Sequence, residues 1–345
     1  MPSAERTACG ELNPSRRRVG PLIYTVSRED VRLLGVGRRM AELTNDFTWS
    51  KSRHEKFREC LRAYYYQYYG SWGGWEAPAG SPVRELYVLK KLSSRWQWAG
   101  SVVHTALKRM LERARHTGRF QGLDELLART RERARRDWSV SREKSYWREP
   151  SQIAGLIEHE YTEPVPNQEW KRIWDEVIEG SLRAFFTSVA FERIQRTPRE
   201  KWLSVDELDS WLFEGTKVWV AVDFAFGDAD GVIHILDWKT GKQREVDHTQ
   251  VGIYALYAQQ KWGAAPQGVR GGLVYLATAA GDCVTVSADP VALEACKDEM
   301  RRSIAAMRER LDDAPRNVAR LEQFPQLSAP ESCRRCPFRR PCGRM

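Results

Sequence analysis

The chain has 345 residues, of which 42% are hydrophobic, so it is no disordered polymer and has ample material for one large domain or two medium ones. Basic residues exceed acidic ones by 55 − 46 = +9, which favours an anionic partner, nucleic acid ahead of a membrane surface; a solvated basic surface with no partner is the alternative. No apolar run approaches the roughly 20 residues that span a bilayer, and the opening MPSAERTACGELNPSRRRVG has no signal-peptide core. The expectation is a soluble, cytoplasmic protein whose thiols stay reduced and whose clustered cysteines bind metal.

Residues 1–45 are arginine-rich and weakly patterned, and read as a basic N-terminal extension. The first half of FRECLRAYYYQYYGSWGGW reads as a helix ending near Gly70. GSVVHTALKRMLERARH, residues 100–116, predicts an amphipathic helix with Val103, Leu107, Met110 and Ala114 on one face. Residues 120–197 look mostly helical, with a break at Pro164 and Pro166 and one long helical pattern ended by Pro198. VWVAVDFAF (218–226) and VIHILDWK (232–239) predict two strands of a hairpin across GDADG. A helix over about 248–262 follows, then a second hairpin from GGLVYLAT and CVTVSA. Asp289 and Pro290 open a last helix, with the cap residue before the proline. The fold class expected is mixed α/β, a central mixed sheet flanked by helices. Residues 46–345 read as one domain: 100–215 largely helical, 216–290 a β-core, and 330–345 a cysteine-bearing tail.

Within ILDWKTGK, Asp237 and Lys239 share one face of a strand with Ile233 and Ile235. Asp223 on the preceding strand is expected on the face of Trp219, Ala221 and Ala225, where the hairpin can bring it to Asp237. Two carboxylates suit a hard cation such as Mg²⁺, and a neighbouring ammonium can hold a water or neutralise developing charge. The plain alternative is an ordinary salt bridge on an exposed strand. Gln250 and Tyr254, four residues apart, share a face of the following helix. His104 lies near the apolar stripe of the 100–116 helix, where a packed core histidine is the competing reading. The GK of KTGK is no phosphate loop, because Leu236 stands at the required glycine and Gln243 follows Lys242.

In this order, His104, Asp223, the D-W-K triplet 237–239 and Gln250…Tyr254 resemble the H…D…DxK…QxxxY pattern of RecB-like nucleases of the PD-(D/E)XK superfamily. The resemblance covers roughly residues 48–345. It implies a restriction-endonuclease-like core with a helical insertion. It also implies that His104, Asp223, Asp237 and the carbonyl of Trp238 bind Mg²⁺ or Mn²⁺. Lys239 would assist the attacking water, and Gln250 and Tyr254 would support the substrate or the lysine. The expected activity is a deoxyribonuclease, an exonuclease on single-stranded ends in repair, recombination or phage and CRISPR-type defence, with a helicase or defence complex as a partner in trans. The alternative is a nucleic-acid-binding assembly subunit whose nuclease core is idle or switched by a partner.

Cys333, Cys336 and Cys342 form C-x2-C-x5-C, and Cys60 sits far upstream. Together they resemble iron–sulfur members of that family, AddB-type recombination nucleases and CRISPR-adaptation exonucleases. There, one early and three late cysteines hold a [4Fe–4S] cluster that staples the N- and C-terminal parts. Zinc is the rival for four thiolates. Cys296 falls on a helical core stripe, Cys283 in a strand and Cys9 in the extension, and none is expected as a ligand. Tyr64, Tyr65, Tyr66, Tyr68, Tyr69, Trp72 and Trp75, with Arg334, Arg335, Arg339 and Arg340, form either a strand-binding basic and aromatic patch or a packed core.

Overall fold

The computed structural model describes residues 44–242, 247–278, 281–287, 289–327 and 330–344. The expected N-terminal extension, except its last two residues, and Cys9 with it, lie outside the described residues. In chain order the elements are β1 (Thr48–Trp49), α1 (Lys51–Glu59), α2 (Leu61–Tyr65), α3 (Pro82–Leu89), α4 (Arg95–Thr117), α5 (Leu123–Arg142), α6 (Ile157–Glu160), α7 (Asn167–Arg172), α8 (Gly180–Thr187) and α9 (Val189–Arg196). They continue with β2 (Trp202–Phe213), β3 (Thr216–Gly227), β4 (Ile233–Lys239), α10 (Asp247–Trp262), β5 (Val269–Tyr275), β6 (Asp282–Ser287) and α11 (Pro290–Arg308). No helix among the described residues is long and apolar enough to cross a membrane.

Local chemistry sets the helix ends. Ser94 and Gln97 make a capping box at the start of α4, and Gly118, at φ 75°, closes it in the left-handed region. The Asp289 side chain accepts from the N–H groups of Val291 and Ala292, with Pro290 in the first turn of α11. The long helical pattern expected before Pro198 is interrupted at Ser188. Ser188 ends α8 and caps α9, its side chain accepting from the Phe191 N–H at 3.1 Å. A local hydrogen bond there outcompetes the continuing helix ladder.

Strand order is β1-β3-β4-β5-β6, with β2 paired to β3 on its other flank. The β4/β5 and β1/β3 pairs are parallel and the others antiparallel, so the expected mixed sheet and both hairpins are present. Strand β2 lies within the segment read as largely helical. Its sequence WLSVDELDSWLF is poor in β-branched residues. Pairing with β3 overrides that composition, through a tight turn at Glu214 and Gly215, both at positive φ.

The sheet separates two cores. On one face Phe224, Phe226, Leu236 and Trp238 pack with Val103, Leu107, Phe185 and Phe191 from the helices. On the other, Val218, Val220, Val222, Ala225, Ile233 and Ile235 pack with Ile253, Met300, Ile304 and Tyr64. Gly271 of β5 lets α10 settle on the sheet, since a Cβ there would stand 2.3 Å from Val251 Cγ1. Most of the tyrosine block belongs to this second core, while Tyr66 packs in a third cluster with Leu86, Ile157 and Phe338. Tyr64, Tyr66 and Tyr69 are buried, and the buried Arg53 donates to the hydroxyls of Tyr64 and Tyr69, each at 3.0 Å. Arg340 pairs with Glu85 and Glu160, and Arg339 with Glu163. Of the two readings, the packed one holds for the tyrosines, whereas Trp72, Arg334 and Arg335 are exposed.

The turn between β3 and β4 is fixed by Asp228. Its Oδ1 accepts from the N–H groups of Asp230 at 3.0 Å and Val232 at 2.9 Å, and its Oδ2 lies 2.8 Å from His234 Nε2. From that turn the ladder runs Gly227↔Ile233, Phe226↔His234, Ala225↔Ile235 and Phe224↔Leu236. The next pair in register would be Asp223 opposite Asp237, and the ladder stops one pair short of it.

Candidate active site

Like charges directly opposed on paired strands repel, and the chain replaces the missing rung with side-chain bonds. The Trp238 N–H donates to Asp223 Oδ2 at 2.7 Å. On β3 the alternation also resets here: Val218, Val220 and Val222 face one core before Asp223, and Ala225 faces it after. Ala225 is therefore not on the expected face of Trp219 and Ala221, and the alternation breaks next to Asp223. Opposite it on β2, Asp206 sits at φ 44°, and no Asp206/Asp223 rung forms.

Around the two buried acids the expected residues converge. Asp237 Oδ1 accepts from the Tyr254 hydroxyl at 2.6 Å and from Gln250 Nε2 at 2.8 Å. Gln250 Oε1 accepts from Lys239 Nζ at 2.6 Å. Lys239 Nζ is 2.6 Å from Asp237 Oδ2, an ion pair in which that oxygen accepts no well-directed hydrogen bond. The Tyr254 hydroxyl also reaches the Ala221 carbonyl at 3.1 Å, on the edge of β3 that the stopped ladder leaves open. His104 Nδ1 faces Asp223 Oδ1 at 3.2 Å, reaching it from α4. That helix approaches the turn after β4 closely, because a Cβ on Gly100 would stand 2.9 Å from Thr240 Oγ1.

Burial pushes the Asp237 carboxyl up, as does the charge of Asp223, while Lys239 and Tyr254 oppose the shift. Burial, followed by the charges of Asp237 and Asp223, pushes the Tyr254 phenol well up, so it stays a donor. Burial pulls the His104 imidazole down, but Asp223, Asp237 and Asp206 more than offset it and hold its pKa up at about 9. Two buried carboxylates beside an imidazole and an ammonium cost desolvation that packing alone does not require.

Against known protein families, the model of the PD-(D/E)XK nuclease superfamily matches residues 48–343. The chain belongs to the PD-(D/E)XK nuclease superfamily. No curated protein matches it. Members of this superfamily are nucleases that hydrolyse phosphodiesters, typically with divalent metal ions, so nucleic acid is the substrate class. The match runs from β1 past Cys342, and the mixed sheet with helices on both faces agrees with the superfamily fold.

The donor chemistry of this PD-(D/E)XK site, two carboxylates with an imidazole within reach, fits a hard divalent cation. Among the described residues, no group of three or more His, Cys, Asp or Glu is arranged to hold a single metal ion. Asp223 Oδ2 is engaged by the Trp238 N–H, and Asp237 Oδ2 is ion-paired with Lys239. Tyr254, 3% exposed, braces the acid from within and offers no face to substrate.

Two neighbours escaped the sequence reading. Lys51, at the start of α1, places Nζ 3.5 Å from Gln250 Oε1. Asp206 is held by Lys108, whose Nζ donates to the Asp206 carbonyl at 2.6 Å and lies 3.3 Å from its Oδ2. Burial pushes the Asp206 carboxyl up, against the pull of Lys108. Neither carries a spacing signal: Lys51 follows β1, which pairs with the distant β3, and Asp206 lies on β2, within the segment read as helical.

Cys60, Cys333, Cys336 and Cys342 line one cavity together with Tyr66, Ala63 and Phe338. Cys60 is the break between α1 and α2, and its Sγ accepts from the Ala63 N–H at 3.4 Å. Burial pushes the Cys336 thiol up to about 11 and raises that of Cys342, and the neighbouring cysteines add to both shifts. Cys296 is buried in the second core, as expected of a packing residue.

Proposed function

We propose that the chain is a metal-dependent deoxyribonuclease, acting as an exonuclease on single-stranded ends. The observation that carries this reading is the convergence, at the stopped β3/β4 ladder, of Asp223, held by the Trp238 N–H, with the bonded group of Asp237, Lys239, Gln250 and Tyr254. His104, Asp223, Asp237 and the Trp238 carbonyl would hold Mg²⁺ or Mn²⁺. When bound, such an ion polarises a phosphoryl oxygen and lowers the pKa of a coordinated water. Lys239 orients the attacking water and offsets charge on the phosphate. Gln250 holds that ammonium in place, and Tyr254 fixes the Asp237 carboxylate by donating to it.

A [4Fe–4S] cluster is the group proposed for the cysteine cavity. A cube takes one thiolate at each iron, so its four cysteines surround a volume rather than converge on a point, as zinc would require. Four cysteines lining one apolar cavity suit the first arrangement. Its role would be structural, closing the chain ends together.

Cleavage of 5′- and 3′-labelled single- and double-stranded DNA, with Mn²⁺ or EDTA and under anaerobic conditions, tests the activity. Stepwise, Mn²⁺-dependent shortening of single strands is expected. Internal cuts only, or no cleavage by the protein alone, would overturn the exonuclease reading.

A further inference from the structure

On the helical side of the molecule a cavity of about 480 Å³ opens between α5, α6 and α7. Its walls combine Arg135, Trp138 and Arg142 of α5 with Lys144, His159 and Trp170. Arg135 and Arg142 are exposed, and neither has an ion-pair partner among the described residues. Glu163, the carboxylate on the wall, is engaged by Arg339. The potential inside is therefore positive. His159 reports it: burial, then Arg142 and Lys144, pull its pKa down to about 4, and its Nδ1 is satisfied by Ser141 Oγ at 2.8 Å.

Half-buried rings stand beside these cations. The Trp138 and Trp170 centroids are 4.8 Å apart, and both rings rest 5.8 Å from Trp98. Trp98 lies on α4, six residues before His104. At 1.5 Å per residue that is about 9 Å along the helix, which a strand covers in a few nucleotides at the ~3.4 Å spacing of stacked DNA.

We infer that this cavity is a binding site for one nucleotide of a single DNA strand, its base against Trp138 and Trp170 and its phosphate on Arg135 and Arg142. It holds the strand on the path to the carboxylate site. The assignment rests on the nuclease reading for its ligand, and on the cavity's own charge and rings for its place. Base stacking on aromatic rings beside arginine is the chemistry of sequence-tolerant single-strand grips.

The test measures the affinity of the full chain for a labelled oligothymidine in EDTA, across a salt series. Arg135→Ala with Arg142→Ala, both at exposed positions, is expected to weaken binding about tenfold. The slope of log K against log salt should shrink by about 0.7, the value for one single-strand phosphate contact. Trp138→Ala should weaken binding at least fivefold, consistent with ~1–3 kcal/mol per stacked base, and Trp138→Phe should recover most of it. Mn²⁺-dependent hydrolysis of bis(p-nitrophenyl) phosphate, too small to reach the cavity, should be unchanged in the arginine variant. Wild-type affinity and slope in that variant, in protein that still cuts DNA, would overturn the cavity alone. Wild-type protein that binds the strand but never cuts it sinks the nuclease reading alone, with the arginine variants still deciding the cavity.

Discussion

Asp223 and Asp237 stand 237 − 223 = 14 residues apart on one hairpin, whereas Cys60 and Cys333 stand 333 − 60 = 273 residues apart and meet only when the chain ends close. The acids are organised before any ligand arrives. Their oxygens are engaged by the Trp238 N–H, Tyr254, Gln250 and Lys239. The cysteines have little of this, and burial raises the thiols of Cys336 and Cys342. A short-range hairpin can build a site by folding alone. A site gathered from both ends gains from a bound group that also holds those ends together.

The largest effect expected separates these two sites. Asp237→Ala or Lys239→Ala should lower DNA cleavage by at least about 10²–10⁴-fold, while circular dichroism shows the fold retained. Activity preserved in both variants would end the proposed mechanism, and cleavage by the purified wild type alone would exclude an idle or partner-switched core. Cys336→Ser should act oppositely, losing a brown absorption at roughly 400 nm and several degrees of melting temperature, with Cys296→Ser as the control that keeps the colour. A colourless wild type prepared without air would remove the iron–sulfur proposal and leave zinc.

A smaller effect concerns pH. In the cation-free protein His104 stays protonated up to about 9, and a cation must displace that proton. Metal affinity should therefore rise with pH, by at most about tenfold per unit, levelling above about 9 and falling as the solution is acidified. Calorimetry with Ca²⁺ in buffers of different ionisation heat would read the proton released, and His104→Gln should flatten the dependence. The smallest effect is expected from Lys51→Ala, which removes one long hydrogen bond to Gln250. A loss of about three- to tenfold in cleavage follows, from a bond worth ~0.5–1.5 kcal/mol. A larger loss would place Lys51 among the groups that touch the phosphate.

The same contrast explains what the sequence made legible. The β3/β4 hairpin, the D-W-K triplet and the Gln250/Tyr254 pair are local patterns with fixed periods, and all appear where the spacing places them. Strand β2 was hidden because its DELDS centre is polar and its turn is Glu-Gly rather than Asn-Gly or Asp-Gly. Lys51 follows β1, whose partner on β3 is more than a hundred residues away, and Asp206 lies on β2, the strand that its composition hid; no local period reports either. The tyrosine block announced aromatic density but not its direction, which is set by the buried Arg53 at its centre.

The Asp228 turn gives the site a ruler. It lies five residues, about 17 Å of extended chain, from Asp223, yet its length decides which side chains meet there. Surface turns ordinarily accept inserted residues, but one residue added between Gly227 and Ile233 that shifts the register would turn Asp237 to the opposite face of the sheet and bring Leu236 against Asp223. Chemistry at the centre of the sheet is thus timed from its rim, and the length of this exposed loop is as much a part of the active site as the acids themselves.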